Sequence, residues 1–342
     1  MSDTSSPVDV LFRIATGHWL SQALLVTARL GIADLLKDGP RCAEDLARAC
    51  GADSGALLRL LRLLTSAGAF REDECGSFAL TPVGELMTAA PGRALVQLFA
   101  GEMVQHAWKG LLYSVQTGNP AFQHECGVGP VEYLASHPEE AANFDLAMTA
   151  ATTQTALALA AAYDFPECGT IVDIGGGQGV LIAAILKANP HLRGVLFDLP
   201  RVAEGARGWI ESAGFGDRCE VVGGDFFESA PGGGDIYLLK HIVHGWDDQR
   251  ATAILTNVRR AMKPDSRLLV IEGLYPARVD TSPACIGPML NDMNMLVTNG
   301  GRQRSEAEFR GLFDAAGLRL SRIVALRAPA SAIEAQRLDG GD

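Results

Sequence analysis

Residues 171–180 read Ile-Val-Asp-Ile-Gly-Gly-Gly-Gln-Gly-Val, and Asp198 follows in the run Leu196-Phe197-Asp198-Leu199-Pro200. An apolar run into a glycine loop, then a helix, then a second apolar run ending in a carboxylate, is a layout that holds an adenosine-bearing cofactor. The spacing argues against a dinucleotide. A Gly-x-Gly-x-x-Gly/Ala fingerprint begun at Gly175 or Gly177 puts Val180 or Ile182 at its third position. Asp173 also stands just before the loop, where it would repel a pyrophosphate drawn to the helix N-terminus. S-adenosylmethionine has no phosphate and carries a sulfonium and an ammonium, so a carboxylate there suits it. Gly175 and Gly177 let the backbone approach the methionine part, and Asp198 can accept hydrogen bonds from two ribose hydroxyls.

The later strand ends add polar residues to the same edge. In Gly223-Gly224-Asp225-Phe226-Phe227, Asp225 can accept from the adenine amino group and Phe226 can stack on the ring. Lys240-His241-Ile242-Val243-His244-Gly245-Trp246 and Ile271-Glu272-Gly273 follow. A purely structural strand end does not require such convergence.

These residues need a sheet to place them. From residue 168 the pattern alternates between strand and helix. Strands are expected near 170–174, 193–198, 219–222, 235–240, 266–272 and 318–326, with one more near 331–338. Helices are expected at 178–189, 200–213, 247–263 and 305–316. The fold class is α/β, with a doubly wound, Rossmann-like C-terminal domain whose ligands sit at the carboxyl ends of the strands. Residues 8–37 have helical periodicity. A second helix covers 55–64, and Ala69-Phe70 with 77–81 reads as a hairpin, which together give a winged-helix layout. Residues 91–165 read as mostly helical, and Trp108, Phe122 and Met148 there are candidates to line an aromatic pocket. The expected divisions are 1–100, 101–166 and 167–342.

Composition narrows the classes. A chain of 342 residues with 48% hydrophobic and 20% charged side chains can bury two cores. The net charge of −11 argues against a nucleic-acid or anionic-membrane surface. Residues 1–100 hold nine Lys and Arg against eleven Asp and Glu. Arg59 and Arg62 are the only charges on the would-be reading helix, which is apolar nearly all round and so is expected to be buried on several sides. Dimerisation is the expectation there rather than DNA binding. No apolar run is long enough to span a membrane, and the first ten residues lack a basic signal region. The 7 scattered cysteines, without a Cys-x-x-Cys, suit a reducing cytoplasm.

Residues 8–326 resemble the winged-helix small-molecule O-methyltransferases, a family that includes plant caffeic acid and flavonoid enzymes and bacterial enzymes acting on anthracyclines, phenazines and other aromatic metabolites. The matching runs are 172–179, 197–200, 223–227, 240–246 and Gly300-Gly301-Arg302-Gln303-Arg304-Ser305, in that order. The resemblance implies a homodimer that uses S-adenosylmethionine. It implies Gly175 on the methionine part, Asp198 and Leu199 on ribose, and Asp225 and Phe226 on adenine. Lys240 acts there through its backbone carbonyl, with Trp246 packed nearby. It also implies His244 as general base, a histidine being able to take a phenolic proton near neutral pH. The chain departs from the plant pattern at two points. Gly245 stands where an Asp follows the base. Of the two glutamates that flank the base, Glu272 matches the first, while Gln303 occupies the second and brings no charge. A weaker base is expected. Asn291 and Asp292 are further candidates for substrate contact. No metal site is expected, since Asp225, Glu272 and Asp292 each have another role and no ligand spacing recurs. Two alternatives are non-methylating chemistry on the same scaffold and a ligand-sensing DNA-binding regulator.

Overall fold

A computed structural model of the chain describes residues 6–338. The chain divides into two compact units. One is formed by the chain up to His106 with Leu134–Ala150, the other by Ala107–Tyr133 with the chain from Ala151 onward.

In the first unit the expected 8–37 helix is three, Pro7–Ala15, Gly17–Arg29 and Ile32–Leu35. The left-handed Gly31 (φ 66°) separates the last two. Helices Ala43–Cys50 and Ser54–Ser66 follow, the latter started by the Asp53 side chain accepting from Ala56 N–H. Strands β1 (Arg41–Cys42), β2 (Phe70–Glu72) and β3 (Ser77–Leu80) make a three-stranded antiparallel sheet in the order β1-β3-β2. Ile32, Leu46, Leu61, Leu64, Phe70 and Phe78 form the core. The Ser54–Ser66 helix, expected to be buried on several sides, packs one of them within the single chain. It buries Leu57, Leu61 and Leu64 on one face, while Leu63 is 41% exposed. Arg62 is tied to Glu72 of the hairpin. The first helix, Pro7–Ala15, buries no residue at all.

The second unit holds a seven-stranded sheet in the order β6-β5-β4-β7-β8-β10-β9. Its strands are β4 (Gly169–Ile174), β5 (Leu192–Asp198), β6 (Cys219–Gly223), β7 (Ile236–Lys240), β8 (Arg267–Glu272), β9 (Leu318–Ala325) and β10 (Ser331–Arg337). Strands β4 to β8 are parallel, and β10 lies antiparallel between β8 and β9. Period-two alternation sends Ile171, Leu238 and Ile271 into one apolar layer and Val172, Tyr237 and Val270 into the other. Helices Val180–Ala188, Pro200–Ser212, Asp248–Ala261 and Glu306–Ala315 contribute to these layers. Strand order reverses between β4 and β7, and that switch point opens a crevice at the carboxyl ends. Among the described residues no helix is long and apolar enough to cross a membrane.

Candidate active site

Register places Asp198, Asp173, Lys240 and Glu272 at the carboxyl ends of the adjacent strands β5, β4, β7 and β8. The glycine loop leaves β4 with Gly175, Gly177 and Gly179 all left-handed (φ 68°, 58° and 86°), which only glycine adopts without strain. The loop holds itself by hydrogen bonds. Gly175 and Gly176 N–H donate to Phe197 O, Gly179 N–H to Gly176 O, and Gly177 N–H to Asp198 Oδ2 at 2.8 Å. Leu199 N–H donates to Asp198 Oδ1 at 2.7 Å. Those four glycine donors are therefore unavailable to a phosphate, and each Asp198 oxygen keeps acceptor capacity for a hydroxyl. Burial raises the Asp198 carboxyl above its ordinary range, opposed by these two N–H bonds.

Asp173 is buried, and its Oδ2 has no hydrogen-bond partner. A Cβ at Gly176 would come within 2.7 Å of that oxygen, so the carboxylate lies directly beneath the loop. Burial pushes Asp173 up to about 7 against the pull of the Lys240 ammonium. An unmet buried carboxylate under a loop with occupied donors fits a cationic, phosphate-free cofactor, as S-adenosylmethionine is.

The next strand end carries the aromatic side. Phe226 and Phe227 meet at 5.0 Å, and Trp246 packs edge-on against Phe227 at 4.9 Å and Phe226 at 6.3 Å. Asp225 Oδ1 accepts from Phe227 N–H at 2.8 Å, which fixes the turn. Asn257, from the Asp248–Ala261 helix, donates to both Phe226 O and Phe227 O at 3.1 and 2.8 Å. Its contribution is invisible in the sequence, where it stands thirty residues away on a helix.

His244 sits in the 3-10 turn Val243–Gly245, and its side chain is 12% exposed. Glu272 Oε1 accepts from the His244 backbone N–H at 3.0 Å, and Glu272 Oε2 lies 3.4 Å from His244 Nδ1. Gln303 Nε2 lies 3.0 Å from the same Nδ1, while Gln303 Oε1 is buried without a partner. The turn is clamped from behind by Arg304, which is 1% exposed. Arg304 donates to Val243 O, Trp246 O and Asp248 Oδ1. A buried arginine requires such a full set of acceptors, and that is the signal by which Arg304 could have been found within its motif. Gly301 is demanded by close approach, since a Cβ there would come 2.1 Å from His244 O. At Gly245 only Asn299 Nδ2 lies within reach, at 3.8 Å. Lys240 directs its Nζ to Thr152 Oγ1 (3.0 Å) and His241 Nδ1 (3.2 Å). Burial lowers its ammonium to about 8, partly offset by Asp173 and Glu272.

The expected substrate residues divide. Trp108 Nε1 donates to Asn294 Oδ1 at 3.1 Å, so Asn294, which the sequence reading did not single out, orients that indole. Asp292 Oδ1 accepts from Gln303 N–H at 2.8 Å. With Tyr275, Arg302, Gln303 and Glu308 it lines a cavity of about 410 Å³. Asn291 is half-buried on the same helix, Pro283–Asn299. Phe122 is a correction. It is 0% exposed and packs edge-on against Tyr133 at 5.3 Å, so it belongs to the core and offers no surface to a ligand. Met148 lies on the long Pro138–Ala162 helix, in the portion that belongs to the first unit.

Residues 108–319 match the model of an O-methyltransferase domain, and residues 12–90 match that of an O-methyltransferase dimerisation domain. The chain is 42% identical to the phenazine O-methyltransferase PhzM of Lysobacter antibioticus over 96% of this chain and 95% of that protein. It is also 42% identical to the mitomycin biosynthesis 6-O-methyltransferase of Streptomyces lavendulae, over 90% of this chain and 88% of that one. Among solved structures it is similar to NcsB1, an O-methyltransferase from neocarzinostatin biosynthesis in complex with S-adenosylmethionine and 2-hydroxy-5-methyl naphthoic acid. The TM-score is 0.81 at 33% identity, covering 98% of this chain and 100% of that one.

Proposed function

The chain belongs to the S-adenosylmethionine-dependent O-methyltransferases that carry a dimerisation domain, and from that premise we propose that it methylates a phenolic hydroxyl of an aromatic secondary metabolite, such as a polyketide or phenazine-type antibiotic intermediate, with His244 as general base. The observation that carries the reading is His244 with its Nδ1 3.4 Å from Glu272 Oε2, on the sheet edge that also bears the glycine loop.

When bound, the cofactor supplies a methyl group on a sulfonium, an electrophile that needs no further activation. Gly175 and Gly177, with Asp173 beneath them, would hold its methionine part. Asp198 and Leu199 would hold ribose. Asp225, Phe226, Trp246 and the Lys240 carbonyl would hold adenine. His244 takes the phenolic proton at Nε2 as the oxygen becomes nucleophilic. Glu272 receives Nδ1–H and stabilises the imidazolium that results. Trp108, Asn291 and Asp292 orient the aromatic ring, and alignment of oxygen with methyl is the larger share of the catalysis.

The protein would act as a homodimer in the cytoplasm. Val8, Leu11, Phe12 and Ile14 on the first helix are 63–73% exposed, an apolar face that a second copy would cover. The scattered cysteines, with no Cys-x-x-Cys among them, suit a reducing compartment. Residues 1–100 are proposed as the dimerisation domain, 101–166 as a helical segment shaping the pocket and 167–342 as the transferase domain.

Methyl-labelled S-adenosylmethionine and a panel of phenols test the proposal. Label should enter a phenol with the parent protein. His244→Ala and His244→Gln should lose at least about 100-fold in kcat, with affinity for S-adenosylhomocysteine retained. Full activity in both would overturn the base assignment. Consumption of an aromatic substrate without label in the product would favour non-methylating chemistry.

A further inference from the structure

His241 is the only non-glycine residue with a positive φ (54°) among the described residues. It follows β7, and its N–H donates to Ile271 O at 3.2 Å where the β7–β8 ladder ends. Its ring stacks on that of His244, with centroids 5.2 Å apart and planes 20° from parallel. Its Nδ1 lies 3.2 Å from Lys240 Nζ. An ammonium only donates, so Nδ1 accepts and the ring proton sits on Nε2. Burial, then Lys240, then His244 hold this imidazole well below the ordinary histidine range. A left-handed backbone at a residue with a Cβ is strained and persists only where surrounding contacts hold it, and glycine or asparagine would sit there with less strain.

We propose that His241 is a positioning residue for the methyl-transfer step, an uncharged ring locked by Lys240 that fixes the plane of the His244 imidazole. The one bond that Nδ1 makes, to Glu272 or to Gln303, fixes one corner of that ring but leaves it able to swing. The stacked face removes that freedom. A neutral neighbour also leaves the His244 imidazolium unopposed, where a second cation would repel it. The proposal rests on the reading of His244 as base and extends it to a residue with no contact to substrate or cofactor assigned.

Two variants separate the ring from the backbone. His241→Asn keeps left-handed tolerance and an acceptor for Lys240 but loses the ring. His241→Phe keeps a flat ring and loses the acceptor. The Asn variant should lose at least about tenfold in kcat, with KM and S-adenosylhomocysteine affinity within about twofold of the parent, and the Phe variant should retain more kcat than the Asn variant. A purely structural role would instead lower folded fraction, affinity and kcat together, and that pattern overturns the proposal, as does parental kcat in the Asn variant. Histidine ring signals in labelled protein report the stack without reference to turnover. His244 signals that move on His241→Asn support the contact, and unmoved signals refute it. Full activity of His244→Ala would instead remove the base reading.

Discussion

At His244 the tautomer decides whether the ring can act. An amide NH2 only donates, so with Gln303 Nε2 against Nδ1 the imidazole carries its proton on Nε2 and has no lone pair for a phenol. Base catalysis requires the other tautomer, with Nδ1–H directed to Glu272 Oε2 and Nε2 free. The unpartnered Gln303 Oε1 can accept that same Nδ1–H if the amide turns over, which also satisfies a buried acceptor. A glutamate at this position has no donor and enforces the productive tautomer. Gln303→Glu is therefore expected to raise kcat several-fold with KM little changed. A Glu variant slower than the parent in steady-state assays would contradict the tautomer argument. The residues of this site were unequally legible. Asp173, Asp198, His244 and Glu272 are polar groups at strand ends, where a sequence pattern exposes them. His241 was hidden because its left-handed backbone leaves no compositional trace. Phe122 was misread because an aromatic side chain looks the same in sequence whether it lines a pocket or fills a core.

The glycine loop is the element proposed to hold the cofactor, and its glycines are not equivalent. A Cβ at Gly176 would meet Leu196 Cδ1 at 2.3 Å and Asp173 Oδ2 at 2.7 Å, both fully packed. A Cβ at Gly177 meets nothing within 4 Å, and only its φ of +58° resists substitution. Gly177→Ala should thus cost about 1–2 kcal/mol through backbone strain. Gly176→Ala should cost about 1–3 kcal/mol through overpacking, together with displacement of the buried carboxylate. Denaturant midpoints and S-adenosylhomocysteine calorimetry compare them. Greater loss of cofactor affinity in the Gly177 variant would show that conformation, not the packing under Gly176, dominates the loop. Strands of the large sheet were legible to within a residue or two, because runs such as Ile236–Lys240 are continuously apolar between turn signals. The Ser54–Ser66 helix was less so. Leucine nearly all round suggests burial on several sides, while helical geometry within this unit covers the stripe of Leu57, Leu61 and Leu64.

For the whole molecule, acid stability should owe much to one buried carboxylate far from the cofactor loop in sequence. Glu334 on β10 accepts from Tyr163 Oη at 2.6 Å, Ser321 Oγ at 2.8 Å and Arg322. Burial pushes its carboxyl up, but the bonds from Tyr163, Ser321 and Arg322 outweigh that, and the net displacement is downward from 4.5. A group with a depressed folded value adds stability that is complete above 4.5 and disappears as pH falls through that folded value. Glu334→Gln should lower stability at pH 7 by about 1–3 kcal/mol, and the gap to the parent should close in acid. A gap that stays constant from pH 7 down to the acid transition would refute the linkage. The change in periodicity near residue 168 marks where the large sheet begins, at Gly169–Ile174. The return of Leu134–Ala150 to the first unit was not legible, because helices there carry no mark of which core they join. The position of β10 has a consequence for biosynthesis. It is the last of this sheet's strands in chain order, yet it is interior to the sheet, with β8 on one side and β9 on the other. Until it emerges β8 is an open edge and β9 has nothing to pair with, so a nascent chain is exposed to aggregation up to the final codons of the sheet. A premature stop before Ser331 should yield a substrate for chaperones and proteases rather than a shortened enzyme.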